Sequence, residues 1–416
     1  MSTSIYWFRN DQRLQDNPAL WQACQLNDQL LYCFVVDERW EKNYRSLSFP
    51  NMSDVRMQFC QQSVQNLAEK LEANGAKLIV RKGNPVKEVL KLARENDIHQ
   101  VYASKEPGYY ERRQEKNLTE EIEAHFMDSG SIFDPEDLDR LLGEKSRSFT
   151  SFRKKVEKKL SPRKIIKEIN LKPSPELASV SEDWNEIELN LPEKAAFKLP
   201  GGADSAQDRL QDYVWKTKSL GQYKKTRNGL IGENYSSKFS PFLAIGNLSP
   251  IQIYHEVETF EEEHYSNKST YWMKFELLWR EYFRWVERKK GTELYLGSAY
   301  EEDTLQYKES FFNEWAEGRT ADDFVNANMR ELNASGYMSN RGRQNAASYL
   351  VHNLKMPWQW GAAYFESKLK DYDVASNWGN WQYIAGLAPD GSPHQFDTRQ
   401  QADRYDSKGK YRELWS

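Results

Sequence analysis

The stretch LLYCFVV, at residues 30–36, decides the architecture of the first part of the chain. It is short, continuous and rich in β-branched and other apolar residues, which is typical of a strand buried on both faces. Further strands are predicted at residues 4–8, 77–80 and 99–103, and helices are predicted after Asp16-Asn17-Pro18 and at residues 52–73 and 85–95. Alternation of this kind predicts a parallel, Rossmann-like sheet covered by helices. Such sheets bind ligands at a switch point of the strand order, although no GxGxxG motif follows a strand here.

The sequence pattern divides the chain into three parts. Residues 1–130 carry the α/β pattern, and residues 131–203 form an irregular, proline-rich connector that ends at Gly201-Gly202. Residues 204–416 have helical periodicity, most clearly at residues 271–289, with further helices predicted at residues 314–335 and 341–354. We therefore predict an α/β N-terminal domain joined to an all-α C-terminal domain.

The composition favours a soluble, cytoplasmic protein. The chain has 416 residues, enough for two domains with their own cores, and 29% of them are charged. No apolar run reaches the length of a membrane span, and the opening IYWFRN segment lacks the features of a signal peptide. The three cysteines, Cys24, Cys33 and Cys60, fit neither a disulfide framework nor a metal knuckle, so buried thiols and no metal site are predicted. We expect a monomer without membrane contact.

One basic run crosses the connector. Residues 153–167 hold eight basic residues and one acidic residue, whereas the whole chain has a net charge of −4. A locally basic surface is enough to contact nucleic acid. The run is interpreted either as a solvated linker helix or as a contact with phosphates.

Two segments of the helical half place polar side chains among aromatic ones: YMSNRGRQNAASYL at residues 337–350 and SNWGNWQYIAG at residues 376–386. Amide, carboxylate and guanidinium groups are costly to bury unless each has a partner. Their density in a chain with 14 tryptophans predicts a pocket that hydrogen-bonds a large planar ligand. The polar residues are Asn340, Arg341, Arg343, Asp371, Asp373, Asn377 and Asn380, and the neighbouring indoles are Trp358, Trp360, Trp378 and Trp381.

These motifs resemble the photolyase/cryptochrome family. YWFRNDQRLQDNPAL resembles its first strand and turn, TRNGLIGENYSSKFSPFLAIGNLSP resembles its flavin-phosphate loop, and FELLWREYFRW resembles a helix beside its flavin. MSNRGRQ, SNWGNWQY and the tail RYDSKGKYRELW resemble the DASH class of cryptochromes. The resemblance implies FAD in the helical domain and light-driven repair of cyclobutane pyrimidine dimers, by electron transfer from the excited reduced flavin, with a preference for single-stranded DNA.

The resemblance also implies which residues hold the cofactor. Arg343 and Asp371 match a pair over the flavin ring, Asp373 matches a flavin-contacting carboxylate, and Asn377 matches the residue that faces the reactive flavin nitrogen. The other predicted contacts are Trp272, Arg280 and the diphosphate-binding positions Tyr223, Ser236, Ser237, Lys238, Phe239 and Ser240.

The predicted lesion contacts lie on a second set of positions. Glu276 and Trp279 share one helical face with Arg280. The resemblance implies that Trp279 stacks on the extruded dimer, that Glu276 hydrogen-bonds a pyrimidine carbonyl, and that Asn340 is a further polar contact.

Two further positions predict the preference for single strands. Tyr383 and Gln344 stand where photolyases that act on duplex DNA carry Trp and Met. A smaller ring and a polar side chain would hold the flipped dimer less firmly, and extruding it from a duplex costs a few kcal/mol.

The chain that photoreduces the flavin in this family is only partly matched. Trp381 and Trp358 match its first two tryptophans, but Leu305 occupies the place of the third. The terminal donor is therefore left open between Tyr300, Tyr307 and Trp360.

An antenna pigment is also implied. The resemblance favours 5,10-methenyltetrahydrofolate between the two domains, with Glu106 as the candidate contact, although another chromophore or none is open.

Other functions remain as alternatives. A blue-light signalling photoreceptor usually has a long C-terminal extension, whereas this chain ends at Ser416 soon after its last motif. A single-strand or RNA-binding protein with a vestigial flavin is the third alternative. A (6-4) lesion enzyme is disfavoured because that chemistry asks for a histidine pair near the lesion and His352 is not where such a pair is expected, and an iron–sulfur branch is disfavoured by the lack of cysteines after Cys60.

Overall fold

The N-terminal part of the chain is a parallel sheet. A computed structural model describes residues 2–44, 47–143, 148–176, 180–388 and 391–416. Its strands are β1 (Thr3–Phe8), β2 (Gln29–Asp37), β3 (Leu78–Gly83), β4 (Gln100–Ser104) and β5 (Glu123–Met127). They pair in parallel in the order β3-β2-β1-β4-β5, which confirms the Rossmann-like prediction. The switch point, where such sheets bind ligands, lies between β1 and β4.

Four helices cover this sheet: α1 (Pro18–Leu26), α2 (Asp54–Glu72), α3 (Pro85–Glu95) and α4 (Tyr109–Thr119). The first and third begin as predicted, because Asn17 and Asn84 accept backbone N–H groups and a proline follows each. β2 is buried on both faces, as its composition predicts, since alternate side chains enter two different apolar clusters. The three cysteines are buried and form no disulfide, which confirms the prediction of buried thiols.

The segment between the sheet and the helical domain is more ordered than predicted. The prediction of an irregular connector is wrong for α5 (Pro135–Leu142) and α6 (Phe149–Lys159). Asp134 and Ser148 cap these helices, which places Pro135 where a helix tolerates proline. Phe149 and Phe152 of α6 are buried in the large core of the helical domain. Local capping and this packing override the composition of the segment.

The C-terminal part is helical, as predicted. Its helices are α7 (Ala203–Gln211), α8 (Tyr223–Thr226), α9 (Ser240–Ala244), α10 (Pro250–Glu263), α11 (Lys268–Lys290), α12 (Glu309–Ala316), α13 (Asp323–Ser335), α14 (Asn340–Ser348), α15 (Trp358–Lys368), α16 (Val374–Ile384), α17 (Thr398–Tyr405) and α18 (Lys410–Leu414). α11 is the longest of these, and α6, α8, α10 and α16 pack against it. Within the described ranges, no helix combines the length and apolar character that a membrane crossing requires.

Two predicted helices have different bounds in the structure. The single helix predicted at residues 314–335 is wrong, because Gly318 adopts a left-handed conformation (φ 68°) and Asp322 caps a new helix. The helix predicted at residues 341–354 ends at Ser348, and the chain continues as a wider π-type turn over Tyr349–Asn353.

Candidate active site

Two adjoining cavities lie beside α11 in the helical domain. The larger, of about 290 Å³, is lined by Trp279, Gln344, Asn377, Trp381 and Tyr383, and we call it the tryptophan cavity. The smaller, of about 250 Å³, is lined by Tyr223 and by residues 236–240, and we call it the serine cavity. The residues that line both are Arg227, Glu276, Asn340, Arg343, Asp371, Asp373 and Ser376. The fold thus brings together most of the predicted cofactor and lesion residues from distant parts of the sequence.

Arg343 and Asp371 form the polar centre of the shared wall. Arg343 Nη2 donates to Asp371 Oδ2 at 2.8 Å, while Arg343 Nε donates to the carbonyl oxygen of Met338. The pair is therefore joined by one hydrogen bond. Ser240 Oγ also donates to Asp371 Oδ2, at 2.7 Å. Burial disfavours the cation, but the neighbouring Asp371 outweighs it and raises the pKa of Arg343.

Four buried polar atoms of the cavity walls lack a hydrogen-bond partner in the described part of the chain. They are Asp371 Oδ1, Gln344 Oε1, Arg280 Nε and the hydroxyl oxygen of Tyr235. Leaving a buried polar group without a partner costs roughly 1–3 kcal/mol, so such groups usually meet a ligand or water. Two acceptors, one donor and one hydroxyl that can do either fit FAD, whose ring and side chain offer both kinds of partner.

Glu276 and Trp272 act together on the α11 side of the site. Glu276 Oε1 accepts a hydrogen bond from Trp272 Nε1 at 3.0 Å and forms an ion pair with Arg227. Burial raises the pKa of Glu276, and Arg227 offsets part of that shift. Trp272 lines neither cavity, so it is linked to the site through its hydrogen bond to Glu276.

Trp279 is held by aromatic packing. Its ring stacks on Phe149 with centroids 3.6 Å apart and planes 13° apart. Among the described residues, the lining of the tryptophan cavity includes Trp279 and not Phe149. Phe149 therefore supports the indole from outside the cavity, and the Tyr383 ring meets it edge-on with centroids 6.1 Å apart.

The serine cavity begins ahead of α9. Lys238 is 3% exposed, and its Nζ donates to the Tyr337 hydroxyl at 3.3 Å and lies 3.4 Å from the Tyr235 ring centroid. Burial lowers the pKa of Lys238 well below its usual value. A phosphate bound beside this amine would favour its charged form, so anion binding and lysine protonation are coupled here.

Asp373 and Asn377 lie at the start of α16. Asp373 accepts the backbone N–H of Ser376 and lies 3.6 Å from Arg280 Nη2. Burial opposes ionisation, but Arg280 and Arg284 prevail and lower the pKa of Asp373. Asn377 Nδ2 donates to the Ala362 carbonyl oxygen at 3.0 Å, which fixes the orientation of this amide.

The remaining predicted lesion residues also line the tryptophan cavity. Tyr383 stacks on His394 with centroids 3.8 Å apart and planes 13° apart. Asn340 is exposed at the start of α14, and the Gln344 side chain lies one turn further along that helix.

The two predicted electron carriers occupy different places. Trp381 lines the tryptophan cavity and is 2% exposed. Trp358 is buried away from both cavities, where its Nε1 donates to the Gly297 carbonyl oxygen at 3.1 Å and its ring packs edge-on against Trp378.

Glu106 belongs to a third cavity, which shares Arg280 and Asp373 with the serine cavity. This space, of about 130 Å³, lies at the carboxyl ends of β1 and β2, where the sheet faces the helical domain. Glu106 lines it together with Trp7 and Trp40. Its Oε2 lies 3.8 Å from Arg284 Nη1, and burial raises the pKa of Glu106 to about 8.

Sequence reasoning missed three contributors to the site. Arg227 lies within the segment that resembles the flavin-phosphate loop, but nothing local indicates its ion pair with Glu276. Tyr337 opens a quoted motif, yet its hydroxyl contact with Lys238 spans 99 residues of sequence. Phe149 lies in the segment that was predicted to be irregular, so its stack on Trp279 was not foreseen.

Comparisons with known proteins define the class of the chain. The family profile for DNA photolyase matches residues 4–176, and the profile for the FAD-binding domain of DNA photolyase matches residues 272–416. The chain therefore has the fold of a photolyase-type protein with an FAD-binding helical domain.

The relatives narrow the class. Cryptochrome DASH of Natronomonas pharaonis is 38% identical over 100% of this chain and 90% of the relative, and that of Synechocystis sp. is 39% identical over 99% and 87%. The crystal structure of a Synechocystis cryptochrome, 40% identical, superposes with a TM-score of 0.94 over 100% of this chain and 88% of the other. An archaeal photolyase from Sulfolobus tokodaii, 25% identical, gives a TM-score of 0.79 over 99% of this chain and 90% of the other. The chain belongs to the photolyase/cryptochrome family, within which its relatives are DASH cryptochromes.

Proposed function

We propose that this protein is a deoxyribodipyrimidine photo-lyase that repairs cyclobutane pyrimidine dimers in light and prefers single-stranded DNA. The observation that carries the proposal is the position of Glu276 and Trp279 on the same cavity wall as the Arg343–Asp371 pair. A lesion that contacts the first two residues would lie directly beside a cofactor held by the second two. FAD, when bound and reduced, supplies under blue light the single electron that splits the cyclobutane ring and that returns after the splitting.

The side chains of the wall have separable roles. Trp279 offers an indole to the extruded dimer, and stacking of this kind is worth roughly 1–3 kcal/mol per base. Burial raises the pKa of Glu276 and Arg227 offsets part of that shift, so it is in its protonated form that this carboxyl would donate a hydrogen bond to a pyrimidine carbonyl. Arg227, beside it, adds positive charge where a DNA strand would enter.

Two features support the preference for single strands. Tyr383 has one face stacked on His394, and Gln344 presents a polar side chain to the cavity. Neither adds the broad apolar surface that would offset the free energy of extruding a dimer from a duplex.

Glu276→Gln and Trp279→Ala test these roles, with Glu287→Gln as the matched control. Glu287 is a buried carboxyl of the same helix, hydrogen-bonded by Tyr295 and outside both cavities. We expect Glu276→Gln to lower the light-driven repair yield and Trp279→Ala to weaken binding of dimer-containing oligonucleotides, while the control retains both. Equal losses in all three variants would contradict these roles. Binding of DNA without any light-dependent turnover in the unsubstituted protein would favour the signalling photoreceptor.

We further infer that the cavity at Glu106 holds the folate antenna. A buried carboxyl whose pKa is raised to about 8 can donate to or accept from a pterin ring, and Trp7 and Trp40 supply aromatic walls. Purified protein mixed with 5,10-methenyltetrahydrofolate should retain its near-ultraviolet absorbance through gel filtration, and Glu106→Ala should lose it while keeping FAD. Retention of folate by the variant would refute the assignment.

A cytoplasmic location and a monomeric state remain predictions.

A further inference from the structure

The loop that precedes α9 is held by one arginine of α7. Arg209 is 7% exposed, and its Nε donates to the carbonyl oxygen of Ser237 at 2.9 Å. Its Nη2 donates to the carbonyl oxygens of Glu233 at 3.3 Å and Ser236 at 3.1 Å. Its Nη1 donates to Asn234 Oδ1 at 2.8 Å. One guanidinium therefore binds both ends of residues 233–237, which we call the serine loop.

The arginine is itself fixed from the α7 side. Its Nη1 also donates to Asp212 Oδ2 at 3.1 Å, and its guanidinium carbon lies 5.0 Å from the ring centroid of the buried Tyr213. A guanidinium carries five N–H donors in a rigid planar fork, and all of them are used here. Asp212 receives one of these hydrogen bonds and the serine loop receives the others, so the side chain mainly orders the loop.

These contacts set the direction in which the loop presents its N–H groups. In a planar trans peptide the carbonyl oxygen and the following N–H point in opposite directions. Since the carbonyl groups of Ser236 and Ser237 face Arg209, the N–H groups of Ser237 and Lys238 face away from it. In the part of the chain that the structure describes, neither N–H has a hydrogen-bond partner.

The backbone at Lys238 has the form of an anion-binding turn. Its φ of 61° lies in the left-handed region, which a residue other than glycine keeps only when its surroundings hold it there. Successive N–H groups in such a turn form a concave site for an anion. Among the described residues, the lining of the serine cavity includes Ser236, Ser237 and Lys238 but not Arg209. Arg209 can therefore act on a ligand only through the loop.

We propose that Arg209 is the positioning residue of the serine cavity, holding the serine loop so that the N–H groups of Ser237 and Lys238 are ordered before the diphosphate of FAD binds. The inference rests on the proposed function only in assigning FAD to this site, and it does not depend on the lyase reaction. Donors that are ordered in advance lower the entropy cost of binding. Without Arg209, the loop must be ordered by the ligand itself.

Arg209→Lys tests this role, because lysine keeps the positive charge but lacks the planar fork. The Kd for FAD is measured with the full chain after removal and return of the cofactor. Phosphorus nuclear magnetic resonance at saturating FAD then reports the surroundings of the diphosphate, and visible absorbance reports those of the flavin ring. We expect at least about tenfold weaker binding of FAD, since several loop residues must be ordered on binding. The phosphorus resonances should move towards those of free FAD, while the flavin band stays unchanged.

Arg81→Lys is the matched control. Arg81 is 6% exposed and forms ion pairs with Glu95 and Glu182, but it belongs to β3 and lines neither cavity of the helical domain. It should lower the thermal unfolding temperature and leave the FAD affinity and the phosphorus resonances unchanged. Asn234→Ala removes one contact of the loop with Arg209 and should weaken FAD binding less than Arg209→Lys does.

Three results would overturn the proposal. One is an unchanged FAD affinity with unchanged phosphorus resonances in Arg209→Lys, and another is an equal loss of affinity in Arg81→Lys. If Arg209→Lys does not fold, wild-type affinity and resonances in Asn234→Ala are the third.

Lys238→Ala separates these failures from a failure of the cofactor assignment. Altered resonances in Lys238→Ala with unchanged ones in Arg209→Lys would defeat the role of Arg209 alone. Unchanged resonances in both variants would also remove the diphosphate of FAD from the serine cavity.

Discussion

The stack of Phe149 on Trp279 leads to a specific prediction about lesion binding. Phe149 is 7% exposed and packs edge-on against Phe275 and Tyr282 in addition to its face contact with Trp279. Since it lies outside the lining of the tryptophan cavity, it does not itself meet a lesion. Its contribution is to hold the indole in one orientation before the lesion arrives.

Phe149→Ala should therefore affect two quantities by different amounts. Truncation of a buried phenylalanine costs about 3–5 kcal/mol of unfolding free energy, and the position of Phe149 at the start of α6 favours the lower end. Freeing Trp279 means that its order must be restored on binding, at roughly 0.5–1.5 kcal/mol per immobilised side chain. That range corresponds to a roughly 2- to 12-fold weaker Kd for the lesion.

Phe152→Ala is the matched control for this experiment. Phe152 lies on the same helix and is 0% exposed, but its ring contacts are Tyr282 and Trp285. Denaturant unfolding should show a similar loss for both variants, whereas fluorescence anisotropy with a dimer-containing single strand should show weaker binding for Phe149→Ala alone. Equal lesion affinity in the two variants would refute the view that Phe149 positions Trp279.

Three further predictions follow from the contacts of the site and its surroundings. Asp371→Asn leaves Arg343 without its counter-charge. Breaking a fully buried pair costs about 3–5 kcal/mol of stability, and we expect a loss of about 2 kcal/mol here because the Arg343 side chain is 24% exposed. Gel filtration of the variant should show the loss of FAD. Burial raises the pKa of Glu331 to about 7, so the folded protein keeps a proton that the unfolded chain releases near pH 4.3; stability should fall between about pH 5 and 7, and Glu331→Gln should flatten denaturant unfolding curves over that interval. The exposed face of α6 is tested by replacing Lys154, Lys155, Lys158 and Lys159 with Ala. If these lysines contact phosphates, the salt slope of single-strand binding should decrease by about 0.7 for each contacting lysine removed, and an unchanged slope would dismiss the contact.

The sheet was predictable where its strands are buried on both sides. β2 carries a continuous apolar run because apolar clusters cover both of its faces. β5 was missed because its sequence, EAHFM, forms an edge strand that is exposed or half-buried and has no such run. The turn at Gly318 was missed for a similar reason, since helical periodicity continues on both sides of one left-handed residue.

The composition of the site was predictable, but its contacts were not. The motif residues that resemble the family converge on two adjoining cavities. In contrast, the Glu276–Arg227 pair joins residues 49 positions apart, and the Trp279–Phe149 stack joins different segments of the fold. Such pairs depend on how the helices pack, and the spacing of residues along the sequence does not indicate that packing.

The most direct test of the account is an anaerobic repair assay with fully reduced FAD in the protein. Oligonucleotides with one cyclobutane dimer are supplied as single strand and as duplex, in blue light and in darkness. The account predicts light-dependent restoration of the single strand and little restoration of the duplex. Absence of restoration in both forms, with FAD bound and reduced, would contradict it.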